Sequence, residues 1–247
     1  WVALKRLLVP LEYLEFLSLA TSQKLLLSLA NEFQVVASLR HPHIIRVFDY
    51  GFDIDKQPYL VMELLEESQF LTIFGRAQPL AHSVTLLVDT LRALEYLHRR
   101  GIIHRDLKPG NLLIQNSQVK VLDFGLCVKR GQLTDLEGTI PYVAPEVLAG
   151  QPVSEASDLY AIGVVAYEMF VGRLPFFHGD VKEMTRMIRE DAPKVDLPEI
   201  PEKLRHILAR LLSKQAEQRY DSASAVIREL SKEHRIMIEE SPLLRES

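Results

Sequence analysis

His104-Arg105-Asp106-Leu107-Lys108-Pro109-Gly110-Asn111 leads into Leu112-Leu113-Ile114, a polar turn Gln115-Asn116-Ser117-Gln118, the run Val119-Lys120-Val121-Leu122, and then Asp123-Phe124-Gly125. Two short apolar runs about a polar turn predict a β-hairpin. In an antiparallel hairpin the chain leaves and returns on strands about 5 Å apart, so Asn111 at its start and Asp123 at its end face one another. An Asn and Asp oxygen pair suits Mg²⁺, which keeps several waters and is completed by substrate phosphates rather than by a protein cage. Asp106, five residues before Asn111, sits at the same mouth. Alone, such an Asp would more often be a turn or cap residue. Three oxygen-bearing side chains converging through chain geometry favour chemistry instead.

Working outward, Ala81 to Arg100 places Val84, Leu87, Val88, Leu91, Leu94 and Leu97 at three- and four-residue steps. That pattern predicts an amphipathic helix, stopped by His98-Arg99-Arg100 and Gly101. Nearer the start, Val2 to Val9 reads as a strand ended by Pro10, and 22–39 as a helix with Leu25, Leu26, Leu29, Phe33 and Val36 on one face. Ile44 to Tyr50 and Tyr59 to Leu64 read as strands flanking the polar turn Asp53 to Pro58. Past Tyr142 the pattern is helical almost throughout, over 155–171, 180–190, 201–213 and 222–234. A small sheet with one helix is thus followed by a helical half, with the boundary expected around Glu66 to Gln69.

Composition narrows the function classes. With 247 residues and 28.2 kDa the chain can bury a sizeable core, and 47% hydrophobic with 25% charged residues excludes disorder. Lys and Arg number 29 against 33 Asp and Glu, a net charge of −4 with no basic block, so no nucleic-acid partner is expected. The single cysteine, Cys127, excludes an internal disulfide framework and suits a reducing, cytoplasmic setting. Leu7 to Ala30 is broken by Pro10, Glu12, Glu15 and Lys24, and Leu159 to Gly172 is too short for a bilayer, so no membrane span is expected in this segment.

Four stretches in order, Val2-Ala3-Leu4-Lys5, His104 to Asn111, Asp123-Phe124-Gly125 and Ala144-Pro145-Glu146, resemble the motifs of a eukaryotic-type serine/threonine protein kinase catalytic domain. The resemblance runs from Val2 to about Leu230. It implies an α+β, two-lobed fold: a small, mainly β N-lobe with one key helix over 1–66, a larger helical C-lobe over 67–235, and a linker to further domains starting at 236–247. It implies transfer of the γ-phosphate of ATP to Ser/Thr hydroxyls of protein substrates, with Asp106 accepting the hydroxyl proton and Lys108 steadying the γ-phosphate. Asn111 and Asp123 would hold Mg²⁺, and Lys5, paired with Glu32, would hold the α- and β-phosphates. The adenine would meet Ala3, Met62 and Leu113, and the backbone of Glu63 and Leu65. Glu146 would form a buried ion pair with Arg219. Asp158 would bond backbone N–H groups of the catalytic loop, cap its own helix, or do both.

Thr139, Lys108 and the segment Gly138 to Glu146 resemble the serine/threonine branch and argue against a small-molecule phosphotransferase of the same fold. Leu39 to Ile45 and Leu211 to Tyr220 are similar in style to bacterial members. No glycine-rich loop precedes Val2 and the chain opens at Trp1 inside a strand-like run, so a piece of a longer signalling protein is expected. A pseudokinase scaffold that binds partners without turnover is the alternative.

Overall fold

Ala3 and Lys5 are half-buried while Leu4 and Arg6 are exposed, the alternation of a strand with one covered face. This is β1 (Ala3–Arg6), seen in a computed structural model that describes residues 1–6, 37–54, 57–123, 128–129 and 140–234. The chain divides into two compact units, Trp1–Ser68 and Gln69–Ser247.

In the first unit β1 and β2 (Val47–Phe52) flank β3 (Pro58–Met62), all antiparallel. Ala3 stands opposite Met62 and Lys5 opposite Leu60. The second strand begins and ends later than its apolar run predicts. Ile44 and Ile45 are buried outside it, and an irregularity between Val47 and Asp49 breaks the alternation on which that reading depended. Gly51 pairs with Tyr59, whose ring lies so close that a Cβ on Gly51 would stand 2.7 Å from the phenolic oxygen. At the turn, the Asp53 N–H donates to the Gln57 carbonyl at 2.9 Å and the Asp53 carboxylate accepts the Gln57 N–H at 2.9 Å, while Arg6 pairs with the other carboxylate oxygen. The helix expected over 22–39, with Glu32 and Val36, lies outside the described residues apart from its end.

The second unit is mainly helical. A two-residue strand β4 (Gln69–Phe70) and the short α1 (Leu71–Arg76) precede α2 (Leu80–His98), which buries Val84, Leu87, Leu91, Leu94 and Leu97, the apolar positions that predicted it. Next come β5 (Ile102–Ile103), β6 (Leu112–Gln115), β7 (Gln118–Val121) and β8 (Val128–Lys129). Strands β4, β6 and β7 form one sheet, and β5 pairs with β8. The β6–β7 hairpin runs in the register Leu112 to Val121, closed by Asn116 (φ 51°) and Ser117 (φ 60°). Two consecutive left-handed residues make the I′-type turn whose twist matches paired strands.

Helices α3 (Pro145–Leu148), α4 (Glu155–Val171), α5 (Val181–Glu190), α6 (Glu202–Leu211) and α7 (Ala223–His234) complete the unit. α4 is apolar nearly all round and buried at its centre, with Leu159, Tyr160, Ile162, Val164 and Val165 at or near zero exposure. It approaches α6 so closely that a Cβ on Gly163 would lie 2.9 Å from that of Leu211. Ser154 is its N-cap, and the Ser157 hydroxyl accepts the Ser154 N–H at 3.2 Å. Asp158 therefore does not cap this helix, which frees its carboxylate for another purpose. Among the described residues no helix is long and apolar enough to cross a membrane.

Candidate active site

The stretch from β5 to β6 has almost no regular structure, yet it is pinned at both ends. At its start Asp158 in α4, 1% exposed, accepts the His104 N–H on Oδ2 and the Arg105 N–H on Oδ1, each at 2.9 Å. His98, the last residue of α2, adds its Nε2–H to Oδ2 at 2.8 Å. Burial alone would raise the Asp158 carboxyl, but the hydrogen bond and charge of His98 and the Arg105 amide bring it below the usual range, so it is an anion. At the other end the Leu122 N–H donates to the Asn111 carbonyl at 2.9 Å, and the His104 Nε2–H donates to the Leu122 carbonyl at 2.9 Å. Burial holds the His104 imidazole below its ordinary pKa, hence neutral, even with Asp158, Asp106 and Asp123 nearby.

Asp106 hangs between these anchors with its side chain 12% exposed. Its Oδ2 accepts Lys108 Nζ at 2.7 Å and Asn111 Nδ2 at 2.9 Å, and the Asp106 carbonyl accepts Asn111 Nδ2 at 2.7 Å. Both partners of that amide nitrogen are acceptors, which fixes which way the amide faces. Asn111 Oδ1 is then the atom left to act as a ligand, and Asp106 Oδ1 the one left for a further donor. Asp123 follows Leu122 in the left-handed region (φ 64°), one residue past the point where the chain is bonded to Asn111. The hairpin thus brings Asp106, Lys108, Asn111 and Asp123 to one mouth. An amide oxygen and a carboxylate are a hard oxygen donor set that fits Mg²⁺.

The other expected site residues lie on separate parts of the fold. Ala3 and Lys5 share the half-buried face of β1, and Met62 ends β3. Just past it, Glu63 donates its N–H to the Arg46 carbonyl and accepts the Arg46 N–H on its carboxylate, at 2.9 and 3.1 Å. Leu65 is half-buried beyond β3, and Leu113 is half-buried on β6 opposite Lys120. Glu32, Phe124, Cys127 and Thr139 lie outside the described residues.

Downstream, Ala144-Pro145-Glu146 opens α3, with Pro145 at its first turn. Arg219 grips the Glu146 carboxylate with both terminal nitrogens, at 2.8 and 2.6 Å, and its side chain is fully buried. The remaining guanidinium bonds go to the carbonyls of Ser213, Ala156 and Lys214, while Ser157 Oγ–H donates to Glu146. The expected ion pair is thus present. Tyr142 donates to Glu168 at 2.6 Å, and burial with that bond pushes its phenol upward.

A protein kinase domain model matches residues 17–230. The chain belongs to the protein kinase family. A "probable serine/threonine-protein kinase" of Streptomyces coelicolor is 40% identical over 209 residues, covering 78% of this chain and 31% of that protein. The serine/threonine-protein kinase PknA of Mycobacterium tuberculosis is 37% identical over 204 residues, 77% of this chain and 47% of PknA. Mouse Aurora kinase C is 33% identical over 211 residues, 83% of this chain and 76% of its own. The chain carries a protein kinase domain, with the expected α+β fold of a small sheet unit and a helical unit, and it spans about a third to a half of its first two relatives. The kinase-domain match begins at residue 17, so the resemblance of Val2 to Lys5 rests on those residues and on their strand. One member of this network, His98, has no sequence signal beyond its place in a helix stop, because Asp158 is sixty residues away.

Proposed function

We propose that the protein carrying this kinase domain transfers the γ-phosphate of ATP to Ser or Thr hydroxyls of other proteins, using the residues at the hairpin mouth. The observation that carries this reading is the double tie of Asn111 and Lys108 to one oxygen of Asp106, which leaves the other oxygen for a substrate hydroxyl. The hydroxyl proton passes to Asp106 as the oxygen–phosphorus bond forms and the bond from the γ-phosphorus to the β-phosphate oxygen breaks, releasing ADP. Lys108, beside Asp106, steadies the transferring phosphoryl group. Asn111 and Asp123 would hold Mg²⁺, whose charge offsets that of the phosphates. Lys5, with Glu32, would hold the α- and β-phosphates, and Ala3, Met62, Glu63, Leu65 and Leu113 the adenine. Residues 1–66 serve as the N-lobe and 67–235 as the C-lobe.

The partners in this reading are protein substrates, and 236–247 start a tether to further domains, supported by relatives two to three times longer than the matched stretch. A lone cysteine among 247 residues supports a cytoplasmic setting.

The test is incorporation of radiolabelled γ-phosphate into a general protein substrate by the intact protein and by Asp106→Asn. Asn keeps the shape and loses the base, so incorporation should fall about 10²- to 10⁴-fold. Unchanged incorporation overturns the assignment of Asp106. No incorporation by the unaltered protein, with ATP still bound, would make it a scaffold.

A further inference from the structure

We infer that the chain beyond α7 binds back on its own kinase domain: the stretch from Arg235 to Leu244 covers an apolar corner formed by Leu80 at the start of α2 and by Ile73 and Phe70 of the preceding α1 and β4. Three large apolar side chains are open to solvent there, Phe70 at 46%, Ile73 at 64% and Leu80 at 38% exposure. α1 lies against the first turn of α2, where Phe74 meets the His82 ring edge-on at 5.9 Å and the Ser83 hydroxyl donates to the Gly75 carbonyl at 2.7 Å. Apolar side chains gathered in this way on a domain surface mark an interaction site.

The direction of α7 identifies the occupant. Near its start the Ser224 hydroxyl donates to the Glu95 carboxylate at 2.5 Å, toward the end of α2, and further on Val226 and Leu230 enclose a small apolar cavity with Leu91 and Leu87. The two helices are therefore antiparallel, and α7 advances toward the start of α2. The stripe of α2 that it follows is Glu95, Leu91, Leu87, Val84 and Leu80, at steps of three and four residues. Val84 is fully buried, whereas Leu80, one turn further, lies past the level that α7 reaches at His234 and is open.

The two turns of helix that lead from Leu87 back to Leu80 lead from Leu230 on to Met237, each an advance of about 10 Å. Met237 thus falls opposite Leu80, and it extends the series Ala223, Leu230, both buried on α7. Its stretch, Arg235-Ile236-Met237-Ile238-Glu239-Glu240-Ser241-Pro242-Leu243-Leu244, lies outside the described residues and carries two apolar groups about an acidic pair. From Met237 to Leu243 the chain can span up to about 20 Å, enough to run the length of α1, about 9 Å, past Ile73 and Phe70. Phe70 is paired with Leu113 across β4 and β6. The chain that follows the domain therefore departs one strand away from a residue assigned above to the adenine. That consequence rests on the reading proposed above, and the docking does not.

Cys127 is the sole cysteine, so Cys127→Ser gives a background for a disulfide test in the intact protein. There, Leu80→Cys with Met237→Cys should close a bridge within one molecule on mild oxidation, read as loss of two hydrogens from the monomer mass. Arg99→Cys, about 28 Å along α2 from Leu80, should form none with Met237→Cys. Amide hydrogen exchange supplies the second reading: Met237→Asp should quicken exchange at 71–83 about tenfold and leave α4 unchanged, while Met237→Leu behaves as the parent. No bridge in the first pair overturns the inference, as do equal bridging in both pairs and unchanged exchange in Met237→Asp. A bridge found only between two molecules gives the corner to a second copy and overturns it too. Asp106→Asn is measured alongside for phosphoryl transfer. Activity retained there removes the reading of the active site and leaves the docking standing, whereas activity lost there with no bridge sinks the docking alone.

Discussion

Replacing Arg219 by Met leaves the Glu146 carboxylate, 8% exposed, with the Ser157 hydroxyl as its one remaining described partner. Three backbone carbonyls, of Ser213, Ala156 and Lys214, lose a charged donor at the same time. Breaking one side of a buried pair costs about 3–5 kcal/mol because a desolvated charge stays behind. For a chain of this size each kcal/mol moves the melting temperature by about 2–4 °C, so Arg219→Met should melt about 6–20 °C lower. Thermal and urea unfolding followed by circular dichroism measure it. The pair term is isolated by adding Glu146→Leu, which removes the stranded charge. If the double variant is less destabilised than the two singles added together, by at least about 1 kcal/mol, the pair is coupled as its geometry states. A single-variant loss under about 1 kcal/mol, or additivity within about 0.5 kcal/mol, would refute the reasoning.

Two more outcomes follow from packing and charge. Gly163→Ala should destabilise the fold, although Ala favours a helix over Gly by about 1 kcal/mol, because the new methyl meets Leu211 Cβ at 2.9 Å and Leu212 at 3.2 Å; an unchanged or raised urea midpoint contradicts this. Lys214 donates to the carbonyls of Met187 and Ile188, stands over the Phe176 ring at 3.7 Å, and is pushed down to about 8 by burial. Its folded pKa lies below the unfolded value of about 10.4, so between about pH 8 and pH 10.4 the unfolded chain binds the extra proton and stability rises with pH. The urea midpoint of the unaltered protein relative to Lys214→Met should therefore climb across that window, and a flat difference would dismiss the effect.

The readable parts of the chain were those whose signal is local. α2 and α4 to α7 follow from apolar spacing and proline stops, and the β6–β7 hairpin from two apolar runs about Asn116-Ser117. The mouth holding Asp106, Lys108, Asn111 and Asp123 was legible because the hairpin lies between its members and sets their approach. β4 and α1 were not, since two and six residues show no usable period and Phe70 and Ile73 are exposed. β5 and β8 pair across twenty-odd residues with two residues each. β2 was displaced because Ile44 and Ile45 are apolar for burial outside the ladder. His98 and Lys214 carry their meaning in partners far along the chain, and no spacing announces those.

The I′-type turn turns the β6–β7 hairpin into a ruler. Its four rungs, from Leu112 opposite Val121 to Gln115 opposite Gln118, lie between Asn111 and Asp123, so the offset of those two residues is counted in paired residues and owes little to the chemistry of the turn. Side chains at Asn116 and Ser117 are exposed and can be exchanged for other residues that accept positive φ, Gly above all, without disturbing the mouth. Length is the quantity the hairpin does not forgive. One residue added within a strand would slip the ladder by one rung and turn Val119 and Val121, both buried, toward the opposite face. A fluorophore or epitope meant to report on this protein from the helical unit therefore belongs at the tip, as a substitution or as an insertion that leaves all four rungs paired.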